Sequence, residues 1–185
     1  CGELVYPFDL DLRIKEDNLR ILRAIRFKNI LGFQYEPKTW QAVKNNVAKI
    51  RNVSSERIRD ELNKMFAHRS RAGSLEDLEK SELLKYILPE INKLKGVPQP
   101  RDLHQEGDVF AHTLECFRVM PPRVSIALVW AGLLHDAGKA DTMTMPKTKG
   151  DRIRFNKHVK YSAGIATQVL RRLKFPNFER ELIVW

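Results

Sequence analysis

Histidines that flank an adjacent His-Asp pair are the first side chains in this sequence with the capacity for chemistry. His135 is followed at once by Asp136 at the end of an apolar segment, and His112 and His158 lie on either side of the pair in the chain. An imidazole and a carboxylate at one helix terminus can share a divalent ion, with further ligands from other helices. The four residues are therefore candidate metal ligands, although any one of these histidines taken alone is more often a core or surface residue.

Gly138 and Lys139 follow the His-Asp pair directly, in the stretch "LLHDAGK". Glycine lets the chain turn sharply, and the lysine ammonium carries a compact positive charge. We expect this lysine to offer a cation near a bound phosphate.

A second candidate site is the charged run "EDNLRILRAIRF", residues 16–27. On a helix, Glu16 and Asp17 lie within reach of Arg20. One interpretation is a solvated face with ion pairs of about 0.3 kcal/mol each. The other is base recognition, because a carboxylate accepts from an exocyclic amine while a guanidinium donates to a ring nitrogen or carbonyl oxygen. An Asp-Arg pair would then accept C and A, and reject U and G.

Helices are the elements that must position these groups. The spacing of Ile21, Leu22 and Ile25 predicts a helix from Glu16 to about Leu31 with one buried stripe. Ser54 is predicted to cap a later helix, and Ser74 another. Beyond the first dozen residues no segment alternates convincingly with period two, so the sequence predicts an all-α fold.

The composition favours phosphate-rich partners, since 33 Lys+Arg against 23 Asp+Glu leave a formal charge of +10. No apolar run approaches the roughly 20 residues of a membrane-spanning helix. The two cysteines, Cys1 and Cys116, are too few for a disulfide framework and lack metal-ligand spacing. We expect a cytoplasmic protein that does not bind membranes.

The stretch that contains Gly96, Pro98 and Pro100 interrupts the helical pattern and predicts a domain boundary. From there to the end, the "H…HD" pattern followed by Gly and Lys resembles the HD superfamily of metal-dependent phosphohydrolases. The resemblance covers roughly residues 102–185. It implies that His112, His135 and Asp136 are metal ligands, with His158 at the metal or phosphate. The superfamily's last aspartate ligand has no counterpart in this chain.

The run "EDNLRILRAIRF" resembles the "EDxxR" motif of class II tRNA nucleotidyltransferases (CCA-adding enzymes) and bacterial poly(A) polymerases. Further stretches match in order: "LGFQYEP", "VSSERIRDEL", "LLKYILPEI", "LHQEGDVFAHTL", "LLHDAGK" and "LRRLKFPN". The resemblance implies a junction to a head domain at residues 1–14, a neck at 15–70, a body at 71–98 and an HD domain at 99–185. The fold would be a helical neck and body followed by a helical HD domain.

The same resemblance implies roles for the charged residues. Asp17 and Arg20 would pair with the incoming base while Glu16 braces them, and Arg23 would join the nucleotide site. Glu16, Asp17 and Arg20 would together form the protein template that selects the base. A helix that contains Glu56, Arg57 and Glu61 would support this template. The phosphate contacts to RNA are expected from five basic residues: Arg26, Lys147, Lys149, Arg171 and Arg172.

The family resemblance implies an enzyme that adds C or A from CTP or ATP to the 3′ acceptor end of tRNA. Its catalytic carboxylates and two Mg²⁺ ions belong to a head domain that this chain lacks, so no residue here is expected to catalyse nucleotidyl transfer. The HD site is expected to hold Ni²⁺, Mg²⁺ or Mn²⁺. Two alternatives stay open: a freestanding HD phosphohydrolase acting on phosphomonoesters or cyclic nucleotides, and a non-catalytic RNA-binding helical module.

Overall fold

The computed structural model describes residues 3–4, 10–100, 107–146, 148 and 151–184. It divides the chain into two units, Cys1–Ile87 and Leu88–Trp185. The division falls before the boundary predicted at residues 98–99, because the segment around Val97 pairs with the helix that follows it. The Val109 N–H donates to the Val97 carbonyl at 3.0 Å, and the Gly96 N–H donates to Asp108 at 2.7 Å. The assignment of neck, body and HD domain to these segments stays a prediction.

In the first unit, the described residues form helices and one pair of very short strands. Strands β1 (Glu3–Leu4) and β2 (Gln34–Tyr35) pair in parallel. The helices are α1 (Leu10–Glu16), α2 (Arg20–Leu31), α3 (Pro37–Asn46), a 3₁₀ helix (Val47–Asn52), α4 (Ser55–Ala67), α5 (Arg71–Lys80) and α6 (Leu84–Ile87). Helix α2 packs against both α4 and α5.

The apolar stripes predicted from the sequence form the core of this unit. Ile21, Leu22 and Ile25 of α2 are fully buried. Ile58, Leu62, Met65 and Phe66 line the inner face of α4 and are buried as well. The periodicity of each segment therefore identified the side that packs inward.

The predicted helix from Glu16 to Leu31 is interrupted. Helix α1 ends at Glu16, and α2 begins only at Arg20. A carboxylate oxygen of Asp17 accepts the Leu19 N–H at 3.1 Å, so the side chain of Asp17 replaces a helical backbone bond at this point. The template residues consequently lie at a junction between two helices instead of on one helix face.

The predicted cap at Ser74 is also wrong, because α5 begins three residues earlier, at Arg71. Arg71 is buried, and its Nε donates to the Phe66 carbonyl at 2.9 Å. Asp77, three residues after Ser74, accepts from Asn29 at 2.7 Å and thereby joins α5 to α2.

In the described part of the second unit, the regular elements are helices and one two-stranded ribbon. Its helices are α7 (Pro89–Asn92), α8 (Val109–Val119), α9 (Ile126–Leu134), α10 (Lys139–Thr142), α11 (His158–Arg172) and α12 (Asn177–Ile183). Strands β3 (Met143–Thr144) and β4 (Arg154–Phe155) pair antiparallel. Among the described residues, no helix is both long and apolar enough to cross a membrane.

Helix α9 supplies much of the core of the second unit. Val129, Trp130, Leu133 and Leu134 are buried, and the Trp130 ring packs edge-on against Phe175 at 5.1 Å between centroids. Helices α8, α11 and α12 all pack against α9. The His-Asp pair that follows α9 is therefore held at the end of the most apolar helix.

Candidate metal and nucleotide sites

Three histidines from separate elements surround the buried carboxylate of Asp136. The Nε2 atom of His135 lies 3.2 Å from Asp136 Oδ2, and that of His112 lies 3.7 Å from the same oxygen. The Nε2 atom of His158 lies 3.7 Å from Oδ1. The structure thus brings together all four predicted metal ligands, from α8, the end of α9 and the start of α11.

Two of the histidines have their ring orientation fixed by backbone carbonyls. Nδ1 of His135 lies 2.8 Å from the Gly132 carbonyl oxygen, and Nδ1 of His158 lies 2.8 Å from the Phe155 carbonyl oxygen. Since a carbonyl only accepts, each Nδ1 donates its proton there, and Nε2 is left as the ring atom that faces Asp136 and could bind a metal ion. Metal-ligating histidines in proteins commonly have this arrangement.

Lys139 lies inside the site. It is buried, and its Nζ donates to Asp136 Oδ2 at 2.8 Å and to Gln99 Oε1 at 2.7 Å. Gly138 has an ordinary helical φ of −78° and so makes no special turn. Instead, a Cβ at Gly138 would lie 2.6 Å from the His158 carbonyl oxygen, so the glycine lets α11 approach closely.

The charges of this cluster shift its pKa values. Burial by itself would raise the pKa of Asp136, but hydrogen bonds and charge from His135 and Lys139 outweigh it and hold that pKa far below its usual range. Burial likewise opposes the charged form of His135, yet the adjacent Asp136 carboxylate raises the pKa of this imidazole. Asp136 is therefore an anion at neutral pH.

Cys116 is a member of the cluster that the sequence reasoning missed. It follows His112 by one turn of α8, and its Sγ lies 3.6 Å from His112 Nε2. One ligand atom each of His112, Cys116 and His135 lie within 4.8 Å of one another. The spacing His-x-x-x-Cys on a predicted helix was the signal, because residues four apart share a helix face.

This donor set fits a divalent metal ion. Imidazole nitrogen, carboxylate oxygen and thiolate sulfur are the ligand types of transition-metal sites, and several converge here from rigid helices. An open pocket of about 590 Å³ adjoins the cluster, lined partly by Lys139, His158, Arg152 and Arg154. Its basic lining suits an anionic ligand.

The predicted base-reading residues of the first unit lie around the α1–α2 junction. Arg20 pairs with Glu16 at 3.1 Å, whereas Asp17 pairs with Arg57 of α4, at 2.9 Å. The Asp17 and Arg20 side chains are thus each held by a different partner. Burial would raise the pKa of Asp17, but the Leu19 N–H and the Arg57 guanidinium outweigh it and lower that pKa.

Glu61 of α4 organises the remaining arginines of the run. Its side chain is only 3% exposed, and it accepts from Arg26 Nε at 2.6 Å. Arg23 lies 3.7 Å from both Glu61 and Asp17 and so connects the two carboxylates. Arg26, expected to contact RNA phosphate, is thus held against a buried anion.

Two of the other residues predicted to contact RNA are exposed on one helix. Arg171 and Arg172 are exposed on the last turn of α11, where Arg172 pairs with Glu90 at 2.7 Å. Lys147 and Lys149 lie outside the described residues. The RNA-contact assignment of all five basic residues stays a prediction.

Comparison with known proteins identifies both units. Residues 32–95 match the family model described as "Probable RNA and SrmB- binding site of polymerase A", and residues 109–185 match the HD domain. The chain is 36% identical to an A-adding tRNA nucleotidyltransferase of Deinococcus radiodurans, over 89% of this chain and 39% of the relative. It is 31% identical to a multifunctional CCA protein of Tolumonas auensis, over 99% of this chain and 48% of the relative.

A multifunctional CCA protein of Legionella pneumophila is 32% identical over 91% of this chain and 42% of the relative. The chain therefore spans less than half the length of these curated relatives. The match to the Tolumonas auensis protein covers 99% of this chain and so includes both the charged junction and the histidine cluster. The chain belongs to the family of tRNA nucleotidyltransferases and poly(A) polymerases, with an RNA-binding segment followed by an HD domain.

Proposed function

We propose that the full-length protein transfers C, A or both from CTP and ATP to the 3′ end of tRNA. The proposal is supported by the named activities of the relatives and by the match of residues 32–95 to an RNA-binding segment. Two Mg²⁺ ions and the catalytic carboxylates would belong to a head domain outside this chain. The part of the reaction assigned to this chain is selection of the base.

The observation that carries this assignment is the charged α1–α2 junction. Asp17 and Arg20 flank the break between the helices, and each is held by an opposite charge. A carboxylate has about four acceptor positions, so Asp17 can accept an exocyclic amine while it keeps Arg57. Arg20, braced by Glu16, would donate to the ring acceptor of the same base.

The RNA would be held mainly through its phosphates. The chain carries a formal charge of +10, and tRNA recognition of this kind depends on backbone and shape more than on sequence. We assign such contacts to Arg171 and Arg172, which are exposed in the second unit, and to Lys147 and Lys149. Arg26 would contact an RNA phosphate from its position beside Glu61.

The test is replacement of Asp17 by Ala in the full-length enzyme. We expect the choice among CTP, ATP and UTP to be lost while RNA binding is nearly unchanged, measured by nucleotide incorporation into tRNA that lacks its 3′ end. Asn18→Ala, at the neighbouring position of the same junction, is the matched control. Unchanged nucleotide selectivity in the Asp17 variant would overturn the template assignment.

A second activity is favoured by the histidine cluster: hydrolysis of phosphate esters in the HD domain. His112, His135, Asp136 and His158 would hold a divalent ion such as Ni²⁺, Mg²⁺ or Mn²⁺, which when bound would activate water for attack on phosphorus. Lys139 fixes the carboxylate of Asp136, and the carbonyls of Gly132 and Phe155 fix two imidazoles. The Arg152 and Arg154 side of the adjoining pocket would bind the phosphate.

His135→Ala tests this second activity. We expect it to abolish phosphate release from phosphomonoesters and cyclic nucleotides and to spare nucleotide addition, with His68→Ala in the first unit as the matched control. Circular dichroism checks that the variant is folded. Phosphatase activity that survives in folded His135→Ala protein would exclude this cluster as the site.

A further inference from the structure

We propose that the sulfur of Cys116 is a direct ligand of the HD-domain metal, so that the site selects a thiophilic ion such as Zn²⁺ or Co²⁺ over Mg²⁺. The inference rests on the metal site of the proposed function and deepens it by naming a further ligand and the class of metal. In the structure Cys116, His112 and His135 form a three-donor cluster.

The distance between sulfur and nitrogen agrees with joint coordination of one ion. Zn–S and Zn–N bonds are about 2.3 and 2.0–2.1 Å, so tetrahedral geometry separates the two ligand atoms by about 3.6 Å. The observed separation between Cys116 Sγ and His112 Nε2 is 3.6 Å. The two donors are thus already placed at the edge length of a tetrahedral site.

The local helix geometry explains why these two donors meet. Cys116 follows His112 by one turn of α8, and both side chains lie on the face of that helix that turns toward the His-Asp pair. His112 also lies 3.7 Å from Asp136 Oδ2, and His135 lies 3.2 Å from it. Cys116 thus adds a sulfur donor to the imidazole and carboxylate donors of the site proposed above.

The thiolate determines which metals the site prefers. Mg²⁺ prefers oxygen ligands and near-octahedral geometry, whereas sulfur and imidazole together favour Zn²⁺ and its spectroscopic substitute Co²⁺. Replacement of the sulfur by oxygen should therefore reduce affinity for Zn²⁺ much more than affinity for Mg²⁺ or Mn²⁺.

The experiment is a Co²⁺ titration of the metal-free intact chain, followed by absorbance. We expect visible bands of a bound Co²⁺ ion together with an intense near-ultraviolet thiolate-to-metal band. Cys116→Ser should remove the near-ultraviolet band and lower Zn²⁺ affinity by more than about tenfold. Loss of a group that only hydrogen-bonds a metal ligand already costs about tenfold in affinity, so loss of a ligand should cost more. Cys1→Ser, which replaces the other cysteine of the chain, should change neither the near-ultraviolet band nor the Zn²⁺ affinity.

The outcomes separate this inference from the proposed function. Visible Co²⁺ bands without the near-ultraviolet band, and equal Zn²⁺ affinity in Cys116→Ser, would overturn the thiolate ligand and leave the histidine site intact. A chain that binds neither Co²⁺ nor Zn²⁺ would overturn both the ligand and the metal site. A near-ultraviolet band that is lost in Cys116→Ser and in His112→Ala, but kept in Cys1→Ser, supports the proposal.

Discussion

Nη2 of Arg57 donates to both carboxylate oxygens of Asp17, at 3.0 and 2.9 Å, across the interface between α4 and the α1–α2 junction. This contact fixes the direction of the carboxylate proposed to read the base. It joins residues that are 40 positions apart and so connects α4 to the break between α1 and α2. Arg57 is therefore a positioning residue for the proposed template.

Arg57→Ala should loosen base selection in the full-length enzyme. Without the guanidinium the carboxylate of Asp17 keeps only the Leu19 N–H and the more distant Arg23 as partners, so its direction is less fixed. A bidentate base contact is worth about 1–3 kcal/mol. We expect discrimination between CTP and UTP to fall by about tenfold in single-nucleotide incorporation assays. Arg59→Ala, on the same helix, is the control because Arg59 pairs with the exposed Asp60. A uniform loss of rate with unchanged ratios would contradict a positioning role.

Asp17→Asn should destabilise the chain in a pH-dependent way. Because the folded-state pKa of Asp17 is below its ordinary value of 3.8, its contribution to stability is present above that pH and is lost as pH falls through the lower folded-state pKa. Urea unfolding should show a larger difference between the variant and the natural chain at pH 7 than at about pH 2. A difference that is equal at both pH values would contradict the ionic origin of this contribution.

Glu61→Gln should lower the free energy of unfolding by about 1–3 kcal/mol. The carboxylate is buried and accepts from Arg26, so its loss leaves that arginine without its anionic partner. Urea unfolding measures the effect, and a double-mutant cycle with Arg26→Gln isolates the pair. Asp60→Asn, at the adjacent exposed position, should cost less than about 1 kcal/mol. Equal effects for the two carboxylates would show that burial of Glu61 does not matter.

Gly138→Ala should destabilise the HD domain by about 1–3 kcal/mol and weaken metal binding. The added Cβ would lie 2.6 Å from the His158 carbonyl oxygen and 2.7 Å from the Ser162 nitrogen, and backbone atoms cannot move aside cheaply. Displacement of α11 would carry His158 away from Asp136. Thermal unfolding and Zn²⁺ titration measure the two effects.

Gly164→Ala is the matched control for that substitution. A Cβ at Gly164 meets no described atom within 4 Å, and this position is in the interior of α11. Alanine is a better helix former than glycine by about 1 kcal/mol, so we expect a small gain in stability. Equal stability of Gly138→Ala and Gly164→Ala would contradict the close approach of α11 to Gly138.

Much of the fold could be predicted because helical periodicity is a local property. Ile21, Leu22 and Ile25 recur at the spacing of one helix face, and all three are buried. The break at Asp17 could not be predicted in this way, because its side chain competes with the helix for the Leu19 N–H. Local propensity for a helix was present, and a single side-chain hydrogen bond outweighed it.

The candidate sites divide in the same way. Residue types and spacing were enough to predict the His135-Asp136 pair, the acidic and basic residues of the charged run, and the family resemblance that contains them. The contact of Arg57 with Asp17 and the approach of His135 to the His112–Cys116 pair were settled by the tertiary structure alone, since both depend on how separate elements pack against one another. Residue types and local spacing can be read from the sequence, whereas the distances between helices are set only when their apolar faces pack.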